Sequence, residues 1–142
     1  MKKIVITGAL GYIGTELCKL YSGVSWKYEI IGIDNRFISE RVNELKRRKI
    51  KFVQADILDF NSIKPLIEKA EVVHHLAGIT DVAYVKKDSD KEKDVLVEKT
   101  AILGTENVLS AMHKDATIVF PSTHVVFEGL KEQKENLDES EK

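Results

Sequence analysis

Three glycines at positions 8, 11 and 14, placed directly behind Ile4-Val5-Ile6-Thr7, constrain this chain more than any other feature. A short run of β-branched residues reads as a strand covered on both faces. Tyr12–Tyr21, behind the glycines, carries Ile13, Leu17 and Leu20 at helical spacing. The chain must therefore turn from strand to helix through glycine. Gly8 allows the sharp turn, Gly11 keeps a Cβ out of the way of anything approaching it, and Gly14 lets the helix pack on the sheet.

The same alternation continues to the far end. Strands are expected over Lys3–Thr7, Glu29–Asp34, Lys51–Gln54, Glu71–Leu76 and Thr117–Pro121. Helices are expected over Tyr12–Tyr21, Ser39–Arg48, Ser62–Lys69 and about Lys91–His113. Ser62 is the expected cap of the third helix, with Pro65 in its first turn, where no helical N–H is lost. The last helix shows a stripe of Val97, Ala101, Gly104, Val108 and Met112, narrow at its centre and suited to close packing on a sheet. Strands and helices in alternation specify an α/β fold with a parallel sheet.

The chemistry follows from the first turn. Unpaired N–H groups at a helix N-terminus, with the helix dipole behind them, hold an anion such as a diphosphate. Asp34 ends the second strand twenty residues beyond Gly14, the spacing of a carboxylate that takes adenosine ribose hydroxyls. Together they specify a dinucleotide site. A carboxylate there repels a 2′-phosphate, which favours NAD over NADP, whereas Arg36 two residues later argues the other way.

A length of 142 residues suits one domain. Lys and Arg (22) balance Asp and Glu (23), so there is no basic footprint for nucleic acid or anionic lipid. The apolar runs are too short to span a bilayer, and Ile4-Val5-Ile6 stops at Thr7-Gly8, too soon for a secretory signal. A single cysteine, Cys18, excludes an intrachain disulfide and suits a cytoplasmic protein; it is expected to be a buried or half-buried residue of the first helix. His74 and His75 are adjacent in a strand and point to opposite faces, and neither His113, expected at a helix end, nor His124 completes a zinc spacing. Lys86–Asp94, with eight charged residues of nine, reads as a solvated loop or helix face. Nine of the fifteen residues 128–142 are charged, which sets that stretch apart from the domain over 1–127 as a tail or the start of a loop.

With these residues in place the chain resembles the extended short-chain dehydrogenase/reductase superfamily, in its NAD-dependent epimerase/dehydratase branch. The resemblance runs from Lys3 to Gly129. It is carried by TGALGYIG at 7–14, GIDN at 32–35, ADILD at 55–59, HLAG at 75–78, GTENVL at 104–109 and PSTHVVFEG at 121–129. It implies a three-layer Rossmann fold in strand order 3-2-1-4-5 with helices on both faces. It also implies NAD as cofactor, contacted by Gly8, Gly11, Tyr12, Ile13, Gly14, Asp34 and Asn35. Asp56 and Ile57 would lie near the adenine ring, Leu76, Ala77 and Gly78 would line the cofactor ribose, and Ser122 is counted with them. The Val-Phe pair at 126–127 matches the family's Val-Tyr, which sets Thr123 on the active-site Ser/Thr.

Members of this branch oxidise a sugar hydroxyl by hydride transfer to NAD, with a tyrosine taking the proton and a lysine four residues later lowering its pKa. Neither partner of that pair is found: none of Tyr12, Tyr21, Tyr28 or Tyr84 has a lysine four residues on. In the family the pair lies on the helix after the strand ending near Thr123, and the sequence stops at Lys142 before it. Ala101, beside Thr100, stands where relatives carry an Asn. The expectation is thus the NAD-binding half of a nucleotide-sugar epimerase or dehydratase, a fragment of a longer enzyme. The alternative is a short non-catalytic NAD(H)-binding or regulatory protein. Sheet and helix surface left uncovered would favour self-association, for example as a homodimer.

Overall fold

The structure, a computed structural model, describes residues 2–79 and 91–122. Five parallel strands, β1 (Lys2–Thr7), β2 (Tyr28–Asp34), β3 (Lys51–Gln54), β4 (Val72–His75) and β5 (Thr117–Val119), form one sheet. Their order is β3-β2-β1-β4-β5, the order expected. Helices α1 (Tyr12–Ser22), α2 (Ser39–Arg47), α3 (Phe60–Ile67) and α4 (Lys91–Ala111) connect them. β1 is central, with Ile6 beside Gly32 of β2 on one side and beside His74 of β4 on the other.

Because successive strand residues face opposite sides, the sheet has two cores. Ile4, Ile6 and Ile30 pack with Cys18, Val42 and Leu45 under α1 and α2. Val5, Ile31, Ile33 and Val73 pack with Ile63, Ile67 and Val108 under α3 and α4. The result is three layers. Burial pushes the Cys18 thiol up to about 12, as expected for a residue wholly inside α1's face of the core.

Three local expectations are corrected. On α1 the inner face is Gly14 and Cys18, with Leu17 and Tyr21 packed at its margin, while Ile13 (61% exposed) and Leu20 (77% exposed) face outward. Small residues let the helix lie close to the layer beneath it, and closeness decided the face. α3 begins at Phe60, not Ser62, because Asp59 caps it: its Oδ1 accepts the N–H groups of Asn61 (3.1 Å) and Ser62 (3.3 Å). Pro65 is consequently inside the helix rather than in its first turn. It removes one hydrogen bond, to a carbonyl on exposed Asn61, and α3 ends two residues later. On α4, Thr100 rather than Ala101 is buried. Its hydroxyl donates to the Leu96 carbonyl at 2.7 Å, so its polar atom enters the interior already paired. Gly104 packs closely, as anticipated, but against the Ile57 side chain: a Cβ there would lie 2.5 Å from Ile57 Cδ1.

His113 lies just past the end of α4 beside Asp115, its Nδ1 accepting the Asp115 N–H at 3.3 Å. Among the described residues no helix is long and apolar enough to cross a membrane, and no three metal-ligating side chains gather. His124 and most of the charged stretch at 86–94 lie outside the described residues; 91–94 form the first turn of α4.

Candidate cofactor site

The carboxyl ends of β1, β2, β3 and β4 open into a cleft of about 890 Å³, within the roughly 300–1,000 Å³ usual for small-molecule sites. Its floor is the β1–α1 turn. Gly8 has φ +68°, and a Cβ there would lie 2.7 Å from the Leu76 carbonyl oxygen and 2.8 Å from the Ala77 nitrogen. Conformation and space both demand glycine. The Gly11 N–H donates to the Gly8 carbonyl at 2.9 Å, closing the turn, and Gly11 caps α1 with no side-chain capping bond. The first N–H groups of α1 are left to bind something else, at the positive end of the helix dipole. At Gly14 a Cβ would strike the Gly8 carbonyl oxygen and the Ala9 Cα. The expected role is thus refined: Gly14 seats the helix on its own turn, and only through that turn on the sheet.

Asp34 forms the second wall. Only 5% exposed, it accepts the Leu10 N–H at Oδ2 (2.9 Å), which ties the end of β2 to the glycine turn. Arg36 supplies three more donors: its backbone N–H (3.1 Å) and Nε (3.0 Å) to Oδ1, and Nη2 (3.2 Å) to Oδ2. Arg41 of α2 donates to the Leu10 carbonyl. Asp56, behind β3, accepts the Leu58 N–H at 2.9 Å and the Asn35 side-chain amide at 3.4 Å.

The third wall, Leu76-Ala77-Gly78, is held by a buried polar chain. Thr7 Oγ1 accepts the N–H groups of Leu76 and Ala77, each at 3.2 Å, so its single proton goes to His75 Nδ1 at 2.8 Å. His75 therefore carries its own proton on Nε2 and donates it to Thr105 Oγ1 of α4 at 3.1 Å. Burial holds His75 below the ordinary histidine range, consistent with the neutral ring this chain requires. His74 points to the other face, where Nε2 meets the Tyr21 hydroxyl at 2.7 Å.

All twelve cofactor-side positions from Gly8 to Gly78 named from the sequence line this one cleft. Ser122 does not; its neighbour Pro121 does. Thr123 lies outside the described residues. Arg41, Leu58, Leu96 and Thr100 also line the cleft and were not foreseen as site residues. Thr100 had one signal, its place beside the position where relatives carry Asn. Arg41 had none, since its partner is a backbone carbonyl thirty-one residues away.

Fold and site together define a dinucleotide-binding domain of the Rossmann type. The chain belongs to the NAD dependent epimerase/dehydratase family, whose model matches residues 4–142. It is 30% identical over 128 residues to the UDP-N-acetyl-alpha-D-glucosaminuronate decarboxylase of Bacillus cytotoxicus, covering 89% of this chain and 38% of that one. It is 31% identical over 140 residues to the UDP-glucose 4-epimerase of Mus musculus, covering 89% and 39%. Among solved structures, the UDP-glucose 4-epimerase of Bifidobacterium longum in complex with NAD+ and UDP aligns with a TM-score of 0.73 at 20% identity, covering 92% and 40%. The chain thus spans about two fifths of the length of these relatives.

Proposed function

We propose that this chain is the NAD-binding half of a cytoplasmic nucleotide-sugar epimerase or dehydratase. The observation that carries the reading is the convergence of the twelve cofactor-side positions on one cleft of suitable size. NAD bound there supplies a hydride acceptor for a sugar carbon. The N–H groups opening α1 hold the diphosphate, and Asp34 takes the adenosine ribose hydroxyls. Asp56 and Ile57 flank the adenine, while Leu76, Ala77 and Gly78 line the ribose where β4 ends. The Thr123 hydroxyl hydrogen-bonds the reacting sugar oxygen and orients it. None of Tyr12, Tyr21, Tyr28 and Tyr84 has a lysine four residues on, so the proton transfer itself is not assigned to a residue of this chain.

Calorimetric titration tests the cofactor half of this reading. NAD binds the 142-residue chain, and Asp34→Ala weakens it by roughly tenfold or more, the worth of charge-assisted hydrogen bonds. Absence of NAD binding by a natively folded chain, shown by a cooperative thermal melt, would overturn the reading.

A further inference from the structure

We infer that Arg36 is a latch on the ribose site: its guanidinium fills the two acceptor positions of Asp34 that a ribose diol takes, and NAD must displace it to bind. The inference rests on the cofactor reading above and follows from counting donors. An ionised carboxylate offers about four lone-pair positions. Four donors already occupy them: the Leu10 N–H and Arg36 Nη2 on Oδ2, the Arg36 N–H and Nε on Oδ1. Two of these are backbone groups fixed by the fold. The other two belong to one planar fork, and a ribose presents the same number of donors from its 2′- and 3′-hydroxyls.

The two sides of the pair differ in freedom. The Asp34 side chain is 3% exposed and anchored to the glycine turn, whereas that of Arg36 is 56% exposed. The guanidinium can therefore leave while the carboxylate cannot. Both residues line the cleft. NADP has no 2′-hydroxyl to donate, and its phosphate brings negative charge toward the carboxylate. Opening the latch thus rewards NAD alone: the carboxylate discriminates between the two dinucleotides, and Arg36 is a brake on NAD affinity that narrows the preference.

Titration of NAD and NADP into the wild-type chain, Arg36→Met, Arg36→Lys and Arg47→Met tests this. Arg47 carries the same charge on α2 and pairs with Glu44 outside the cleft. Arg36→Met tightens NAD by about twofold to fivefold, the range of an ion pair with one solvent-exposed partner, and leaves NADP no tighter. Arg36→Lys keeps the charge but loses the bidentate fork, and also tightens NAD. Arg47→Met changes neither affinity. NAD bound by the wild type with an unchanged or weaker affinity in Arg36→Met overturns the latch alone. NAD bound by none of the four, each with a native melt, overturns the cofactor reading and the latch with it.

Discussion

Replacing Thr7 by valine removes one buried oxygen and almost no volume, which isolates the hydrogen-bond chain under the cleft. Thr7 is fully buried at the end of β1, and Val preserves its branched shape. Of the three groups bonded to Oγ1, the Leu76 N–H keeps a second acceptor, the Thr7 backbone carbonyl at 3.3 Å. The Ala77 N–H and His75 Nδ1 lose the partner that the hydroxyl gave them. At about 1–3 kcal/mol for a buried group left unpaired, His75 Nδ1 sets most of the cost and the Ala77 N–H, on the wall of the open cleft, adds less, so Thr7→Val costs about 1–4 kcal/mol. That is a large share of the roughly 5–15 kcal/mol by which such domains are stable. Thr7→Ser keeps the hydroxyl and loses a methyl, for about 1 kcal/mol. Urea unfolding followed by circular dichroism reads the difference as a shift in midpoint at constant slope. A valine variant no less stable than the serine variant would refute the chain as a source of stability.

Two further outcomes follow from the same interior. Gly104→Ala sets overpacking on Ile57, about 1–3 kcal/mol, against the roughly 1 kcal/mol that Ala gains over Gly inside a helix, for a net cost of up to about 2 kcal/mol, and Ile57→Val relieves part of the overpacking in the double variant; strict additivity of the two would be evidence against the contact. His74 and His75 are both held below the ordinary value of about 6.5 by burial, so the unfolded chain binds more protons just below that pH. Stability is therefore full above about 6.5 and falls as pH drops beneath it, and His75→Asn, whose amide oxygen can still accept from Thr7, shows a shallower fall. A urea midpoint that rises on acidification between pH 6.5 and 5.5 contradicts the neutral histidines.

Much of this architecture was legible in residue order. β3 runs over the residues expected, and the four other strands agree within two residues at each end, because Val and Ile runs covered on both faces leave a continuous signal. Asp34 was locatable for the same reason: the end of a legible strand fixes what stands there. The errors share a cause in competition between near-equivalent residues. Asp59 and Ser62 can each cap α3, and the sequence alone does not say which accepts the N–H groups. Thr100 and Ala101 can each face inward on α4, and the choice falls to the polar one because Leu96 satisfies its hydroxyl. On α1, size misled: the large Ile13 and Leu20 suggested a buried stripe, but the close fit of Gly14 against the glycine turn rotates them outward. The Arg36 fork on Asp34 was foreseeable as proximity, though not as occupancy of particular oxygens.

The contact between the Gly8 turn and the Leu76–Ala77 backbone joins segments almost seventy residues apart. Neither segment completes the cleft without the other, and β4 pairs with β1 on the side opposite β2, across the whole intervening β2–α2–β3–α3 stretch. Ligand affinity in this domain is consequently a gauge of long-range chain closure rather than of local helix formation. A peptide containing only the glycine turn and α1 holds the diphosphate-binding amides but lacks the wall that shapes them. Conversely, any compound that occupies the cleft pins β1 to β4, and so stabilises the sheet in proportion to RT ln(1 + [L]/Kd).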